Sequence, residues 1–284
     1  VTVPGAPRPS AAVLRAFGAG ERDPLLLPGG QGATWRAGEI VLRPHGDVRE
    51  ARWRSATLAR LTHTDGFRTP RPVPATDGDW LVDGWEAWAW LPGATDPTRV
   101  EDVLAAGAAF HRAVAHLPRP AFLDPVDDPW SRADRLVWGP RPLPSEPLLD
   151  RLAAAFRPVR ALSQLVHRDL LGNVLFAPGE PPTVFDWAPT WRPVGFAAAV
   201  AAVDAVCWHG VPVEGLPALG QLATVSGWPQ SAWPVSEWPQ FLVRALAFRV
   251  LVLQLLAAWD DDQAARHRPL ADALLSGAAG TLDA

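Results

Sequence analysis

The rhythm of apolar and polar positions changes once along this chain, near residue 91. Before that point the apolar stretches are short and bounded by turn residues. Residues 25–28, 35–36, 39–43, 80–82 and 85–90 have the length and composition of strands. Ala37-Gly38 separates the second and third of these, and Asp83-Gly84 gives a strong two-residue hairpin signal between the last two. Two stretches have helical spacing instead. Residues 11–17 follow Ser10, a good N-cap, and stop at Gly18. Residues 48–61 turn Ala51, Leu58 and Leu61 toward one face.

Leu91-Pro92-Gly93 punctuates the chain, and helical periodicity then dominates. The spacing predicts helices over 98–117, 148–165, 196–209, 218–225, 238–259 and 263–275. Residues 174–176 and 183–185 are short apolar pieces around Ala177-Pro178-Gly179, which reads as a hairpin. The expected class is α+β, with a small strand-rich lobe over 1–92 and a larger helical lobe over 93–284. The recurrence Trp228-Pro229, Trp233-Pro234, Trp238-Pro239 reads as an inter-helix connection. The apolar stretch 241–259 is interrupted by Arg244, Arg249 and Gln254, which suits a half-buried helix and not a membrane span.

Composition narrows the function. The chain has 284 residues, is 48% hydrophobic and carries a net charge of -4. That supports a substantial core and gives no basic field for nucleic acid. A small hydroxylated molecule needs no such field. The opening VTVPGAPRPS lacks the charged start and apolar run of a signal peptide. Cys207 is the only cysteine, so no intrachain disulfide can form; an apolar setting makes it a buried, inert thiol, and a cytoplasmic location fits. Lysine is absent, and Asn173 is the only asparagine.

Asn173 lies in the segment richest in chemistry. Val166-His167-Arg168-Asp169-Leu170-Leu171-Gly172-Asn173 is followed by Val184-Phe185-Asp186-Trp187. Two carboxylates and an amide oxygen thus sit at the ends of short apolar strands, and a hairpin can bring Asp169 and Asp186 to one edge. Phosphoryl transfer needs such a set: one carboxylate to orient an attacking hydroxyl, and oxygen ligands for Mg²⁺. Turn capping is the competing reading of the same residues.

In this order, the segments resemble the catalytic and metal loops of the protein-kinase-like superfamily, in particular its aminoglycoside phosphotransferase and choline kinase branch. HRDLLGNVLF with VFDWAPTWRP looks most like an uncharacterised actinobacterial group within that branch. The resemblance runs from the glycine-rich turn near residue 29 to about residue 209. It implies a two-lobed kinase-like fold that binds ATP and Mg²⁺ and phosphorylates a hydroxyl of a small metabolite.

By this resemblance Asp169 is the catalytic carboxylate, Asn173 and Asp186 hold the metal, and His167 braces the loop. Gly29, Gly30 and Gly32 form the phosphate-covering turn, which is also readable as an ordinary turn. Arg43 takes the place of the usual phosphate-binding Lys, with Glu50 as its ion-pair partner or as a solvated helix residue. Trp88 to Leu91 lie beside adenine. Three residues separate Asp169 from Asn173 where the family has four, Arg43 replaces Lys, and Arg168 stands where small-molecule kinases often have Gly. A nucleotide-binding pseudokinase, or a scaffold without nucleotide, is the alternative these departures leave open. His111 and His116 read as ordinary helix residues, and 260–262, all Asp, as a solvated helix end.

Overall fold

The computed structural model describes residues 7–28, 32–225 and 234–276. Within these the chain forms two compact units. The first comprises residues up to His63 and Arg68–Gly93, and the second Thr64–Phe67 and Ala94 onward.

The N-terminal unit is a five-stranded antiparallel sheet in the order β1-β2-β3-β5-β4. Its strands are β1 (Leu25–Leu26), β2 (Trp35–Ala37), β3 (Ile40–Pro44), β4 (Leu81–Val82) and β5 (Trp85–Ala89). The β2–β3 connection is Gly38-Glu39, with Gly38 in the left-handed region, one residue later than the sequence spacing predicts. Asp83 and Gly84 both have positive φ, the requirement of the tight turn expected there. Helix α1 (Ala11–Ala16) is capped by Ser10 and lays Val13 and Leu14 against Leu42, Trp85 and Ala87. The alternate residues Arg43, Glu86 and Trp88 therefore belong to the opposite sheet face. Helix α2 (Val48–Arg60), capped by the Asp47 carboxylate, supplies Arg54 to that polar cluster.

The C-terminal unit is mainly helical: α3 (Val100–Val114), α4 (Pro129–Trp138), α5 (Pro147–Ala154), α6 (Val194–His209), α7 (Leu216–Val225), α8 (Trp238–Leu255) and α9 (Asp261–Leu275). Helices α6 and α8 are apolar on nearly every side and are buried accordingly. Phe196 of α6 meets Phe248 of α8 and Trp138 of α4 edge-on. Helix α8 is long and apolar enough to cross a membrane by composition, yet Phe241, Leu242, Leu246 and Leu251 are all buried within this unit. It is more deeply buried than the half-buried helix expected. Trp238-Pro239 opens it, whereas Trp228-Pro229 and Trp233 lie outside the described residues.

The helix predicted over 148–165 is corrected. Helix α5 ends at Ala154, and β7 (Ser163–His167) pairs with β10 (Pro189–Pro193) along its whole length. Pro158 disfavours helix at the residue before it. Side chains of α8 and its approach hold the intervening backbone: Gln240 accepts from the Arg157 N–H, and buried Glu237 from those of Arg160 and Ala161. Strand pairing and these bonds outweigh the local leucine and alanine spacing.

A second sheet places the candidate loops. Strand β8 (Val174–Phe176) pairs with β6 (Ala94–Thr95) on one side and β9 (Thr183–Val184) on the other. The turn at 177–179 is the hairpin the sequence predicts. Helix α3 comes close behind this region at Gly107, where an added Cβ would lie 2.5 Å from Leu170 Cδ1.

Candidate active site

In the C-terminal unit the segment after β7 is short because it closes as one tight turn. The Asn173 N–H donates to the Leu170 carbonyl at 2.9 Å, and Gly172, the third turn residue, has φ +88°. This is where a type II turn requires glycine. The turn brings Asn173 back onto Asp169. Its amide nitrogen donates to the Asp169 carbonyl at 2.7 Å and lies 3.3 Å from Asp169 Oδ2. With the nitrogen so engaged, the amide oxygen is the Asn173 atom left to face a metal.

Asp186 reaches the same neighbourhood through the β8–β9 hairpin. Val174 pairs with Val184, and the Phe185 N–H donates to the Asn173 carbonyl at 3.0 Å. Asp186 is the next residue and has φ +49°, an uncommon conformation that Asp tolerates better than most side chains. It is exposed. Asp169, Asn173 and Asp186, singled out from sequence, are thus brought together.

His167 ties the two loops. Its Nε2 is 3.0 Å from the Phe185 carbonyl, so Nε2 carries the proton and Nδ1 accepts the Asp169 N–H at 3.2 Å. Burial holds the imidazole below its ordinary pKa, against the raising effect of the Phe185 bond, which keeps it neutral. The His167 N–H in turn donates to His111 Nε2 at 2.8 Å, and burial also pushes His111 well below its ordinary value. His111 is therefore not the ordinary helix residue expected; it accepts a backbone bond behind the loop that follows β7. Phe110 packs edge-on against Trp187 and Phe67 from the same helix.

Asp169 has a partner no sequence signal named. Arg249 Nη2 of α8 donates to Asp169 Oδ1 at 2.6 Å, and Arg249 Nε donates to Asp204 Oδ1 of α6 at 2.7 Å. A further contact joins Arg249 Nη2 to Asp204 Oδ2. Arg249 and Asp204 are buried, whereas the Asp169 side chain is 38% exposed. Burial pushes the Asp169 carboxyl up, but the Arg249 charge and hydrogen bond outweigh it and hold the group below the usual carboxylate range. Burial raises Asp204 to about 6 despite the same guanidinium. Burial also drives the nearby Cys207 thiol up to about 12, as expected of an inert cysteine. The only sequence hints of this pairing are Asp204 in the otherwise apolar α6 and Arg249, one of two arginines, in the otherwise apolar α8.

In the N-terminal unit Arg43 and Glu86 are directly opposed on β3 and β5, and Arg43 Nε donates to Glu86 Oε1 at 2.6 Å. Arg54 donates to both Glu86 oxygens and, at 2.9 Å, to Glu50. Glu86, which no local sequence signal marks, is therefore the buried centre of a cluster that includes Arg43, Arg54 and Glu50, where the sequence predicts only an Arg43–Glu50 pair. Burial raises its carboxyl, and the Arg43 and Arg54 charges more than offset this. Trp88 is buried, with both guanidinium carbons 5.9 Å from its ring and its indole N–H unpartnered. Leu91 is half-buried just beyond β5. Gly32 has φ +72°, while Gly29 and Gly30 lie outside the described residues.

The oxygen donors suit a hard divalent cation. Asn173 and Asp186 offer an amide oxygen and an exposed carboxylate, and no group of three or more His, Cys, Asp or Glu is placed to hold a metal ion among the described residues. Such a sparse set matches Mg²⁺, which keeps several waters and takes other oxygens from substrate phosphates.

Among solved structures, the chain is similar to an aminoglycoside phosphotransferase from Alicyclobacillus acidocaldarius subsp. acidocaldarius. The two are 16% identical with a TM-score of 0.59, over 98% of this chain and 97% of that one. The chain has the fold of the protein-kinase-like small-molecule phosphotransferases. An amicoumacin kinase in complex with AMP-PNP, Ca²⁺ and Ami is also similar, at 14% identity and TM-score 0.58 over 89% of this chain and 88% of that one. So is a microcompartment-associated aminopropanol kinase, at 18% identity and TM-score 0.55 over 93% of each chain. No family model and no curated protein matches the sequence.

Proposed function

We propose that this chain is an ATP- and Mg²⁺-dependent phosphotransferase acting on a hydroxyl of a small metabolite. The observation that carries the reading is the convergence of Asp169, Asn173 and Asp186 around neutral His167, in a fold whose solved examples include small-molecule kinases. Asn173 and Asp186 would hold Mg²⁺, which when bound offsets phosphate charge. Arg43, with its guanidinium fixed by Glu86, would bind phosphate oxygens.

Asp169 would orient the acceptor hydroxyl. The hydroxyl oxygen bonds to the γ-phosphorus as the bond to the ADP oxygen breaks, and the hydroxyl proton passes to Asp169. A carboxyl held below its ordinary value is a weak base at neutral pH, so the proton moves late and alignment supplies most of the rate.

A screen of hydroxylated metabolites with ATP consumption as readout tests this. The expected result is acceptor-dependent, Mg²⁺-dependent turnover. The shortened spacer between Asp169 and Asn173 favours a second reading, a nucleotide-binding pseudokinase. ATP-Mg²⁺ binding without transfer to any acceptor or to water selects it over the first.

A further inference from the structure

We infer that Arg249 is a positioning residue for Asp169: the guanidinium fixes Oδ1 and thereby turns Oδ2 toward the acceptor. The inference rests on the proposed phosphotransferase reading and goes beyond it. Arg249 sits in the middle of α8, among Phe248, Val250 and Leu251, all fully buried. A guanidinium is costly in such a place unless it is paired. Asp204 already balances the charge, and its two oxygens take Nε and Nη2 in the forked geometry that only arginine offers. That grip sets the plane of the guanidinium from α6.

The bond from Nη2 to Asp169 Oδ1, at 2.6 Å, is an addition that charge balance does not require. It links the catalytic loop to two deeply buried helices of the unit, α6 and α8. Its partner is also the exposed member of the three, with a side chain 38% accessible against 8% for Arg249 and 7% for Asp204. An open carboxylate with one oxygen tethered to the core presents the other. Oδ2 has only the 3.3 Å contact with the Asn173 amide.

Removing Arg249 alone would strand Asp204, so the test uses Arg249→Met together with Asp204→Leu. Replacing both members of a buried pair by apolar groups generally preserves a fold. With the variant shown to be folded, ATP-Mg²⁺ affinity should stay within about threefold of wild type. Transfer of the γ-phosphate from saturating ATP, to water and to an acceptor found by the screen, should fall about 10²-fold, the scale of a misplaced reacting group. Arg249→Lys, which cannot fork to both carboxylates, should recover only part of the loss.

A second measurement is independent of turnover. The effect of Asp169→Asn on the unfolding equilibrium constant should differ by at least about fivefold between wild type and the double variant, since residues in contact are coupled. Absence of coupling, or transfer as fast or faster in the folded double variant, overturns the inference alone. A wild type that binds ATP-Mg²⁺ and transfers nothing overturns the proposed function, and the inference with it.

Discussion

Glu86 stands directly across the sheet from Arg43, with its Oε1 2.6 Å from the Arg43 Nε, and it is almost wholly buried. One carboxylate therefore holds both the strand arginine and Arg54 of α2. Glu86→Gln leaves two guanidinium groups without their shared charge. We expect a loss of about 3 kcal/mol, the lower range for breaking a buried pair. Glu50→Gln, at a partly exposed position, should cost no more than about 1 kcal/mol. Urea unfolding of the two variants checks the contrast; equal losses would remove Glu86 from the centre of the cluster.

Gly172 closes the turn that returns Asn173 to Asp169. An added Cβ meets nothing within 4 Å, so the penalty of Gly172→Ala is conformational. We expect about 1–2 kcal/mol of lost stability from the left-handed backbone. Mg²⁺-dependent ATP affinity should fall as well, because the turn sets the Asn173 amide. Calorimetry with ATP at fixed Mg²⁺ reports the second effect, and unchanged affinity would separate the turn from the metal.

Buried histidines give a pH dependence with a definite sign. His111 and His167 both have folded pKa values below the ordinary 6.5, because burial disfavours the imidazolium. The unfolded chain therefore binds more protons as pH falls past 6.5, and stability that is full above that value is lost below it. Asp204, raised to about 6, acts in the opposite direction, so the window between pH 7.5 and 6.0 isolates the histidines best. The urea midpoint should fall across that window, as the unfolding free energy drops by at most about 1.4 kcal/mol per pH unit for each histidine. His111→Gln, which can still accept the His167 N–H, should flatten the slope. A midpoint that rises toward pH 6.0 contradicts this account.

Much of this architecture is legible in local sequence. The Asp83-Gly84 hairpin and the β8–β9 hairpin that leads to Asp186 follow from turn chemistry and short-range pattern. What escapes the sequence is long-range. Residues 163–167 join a strand pair because their partners lie at 189–193, which no local window contains. Glu86 matters because β5 lies beside β3, and Arg249 because α8 passes behind the loop that carries Asp169. Arg249 reads in sequence as an interruption of an apolar helix; only the fold shows that Asp204 and Asp169 receive it.

Asp186→Ala should weaken ATP-Mg²⁺ binding more than it weakens the fold, since the side chain is exposed. For wild type, ligand at about 100 times its Kd adds roughly 2.7 kcal/mol, a melting shift of several degrees for a chain of this size. The variant should lose most of that shift while its ligand-free melting temperature changes little. A full shift in the variant would remove Asp186 from the metal site.

The most direct measurement is the rate of γ-phosphate transfer by wild type and by Asp169→Asn at saturating ATP-Mg²⁺. Asparagine keeps the shape of the side chain and removes the charge proposed to orient the hydroxyl. Nucleotide binding should be retained, and transfer should fall by at least about 10²-fold. Equal transfer by the two proteins would contradict this role, because the loop from His167 to Asn173 would then not run the chemistry.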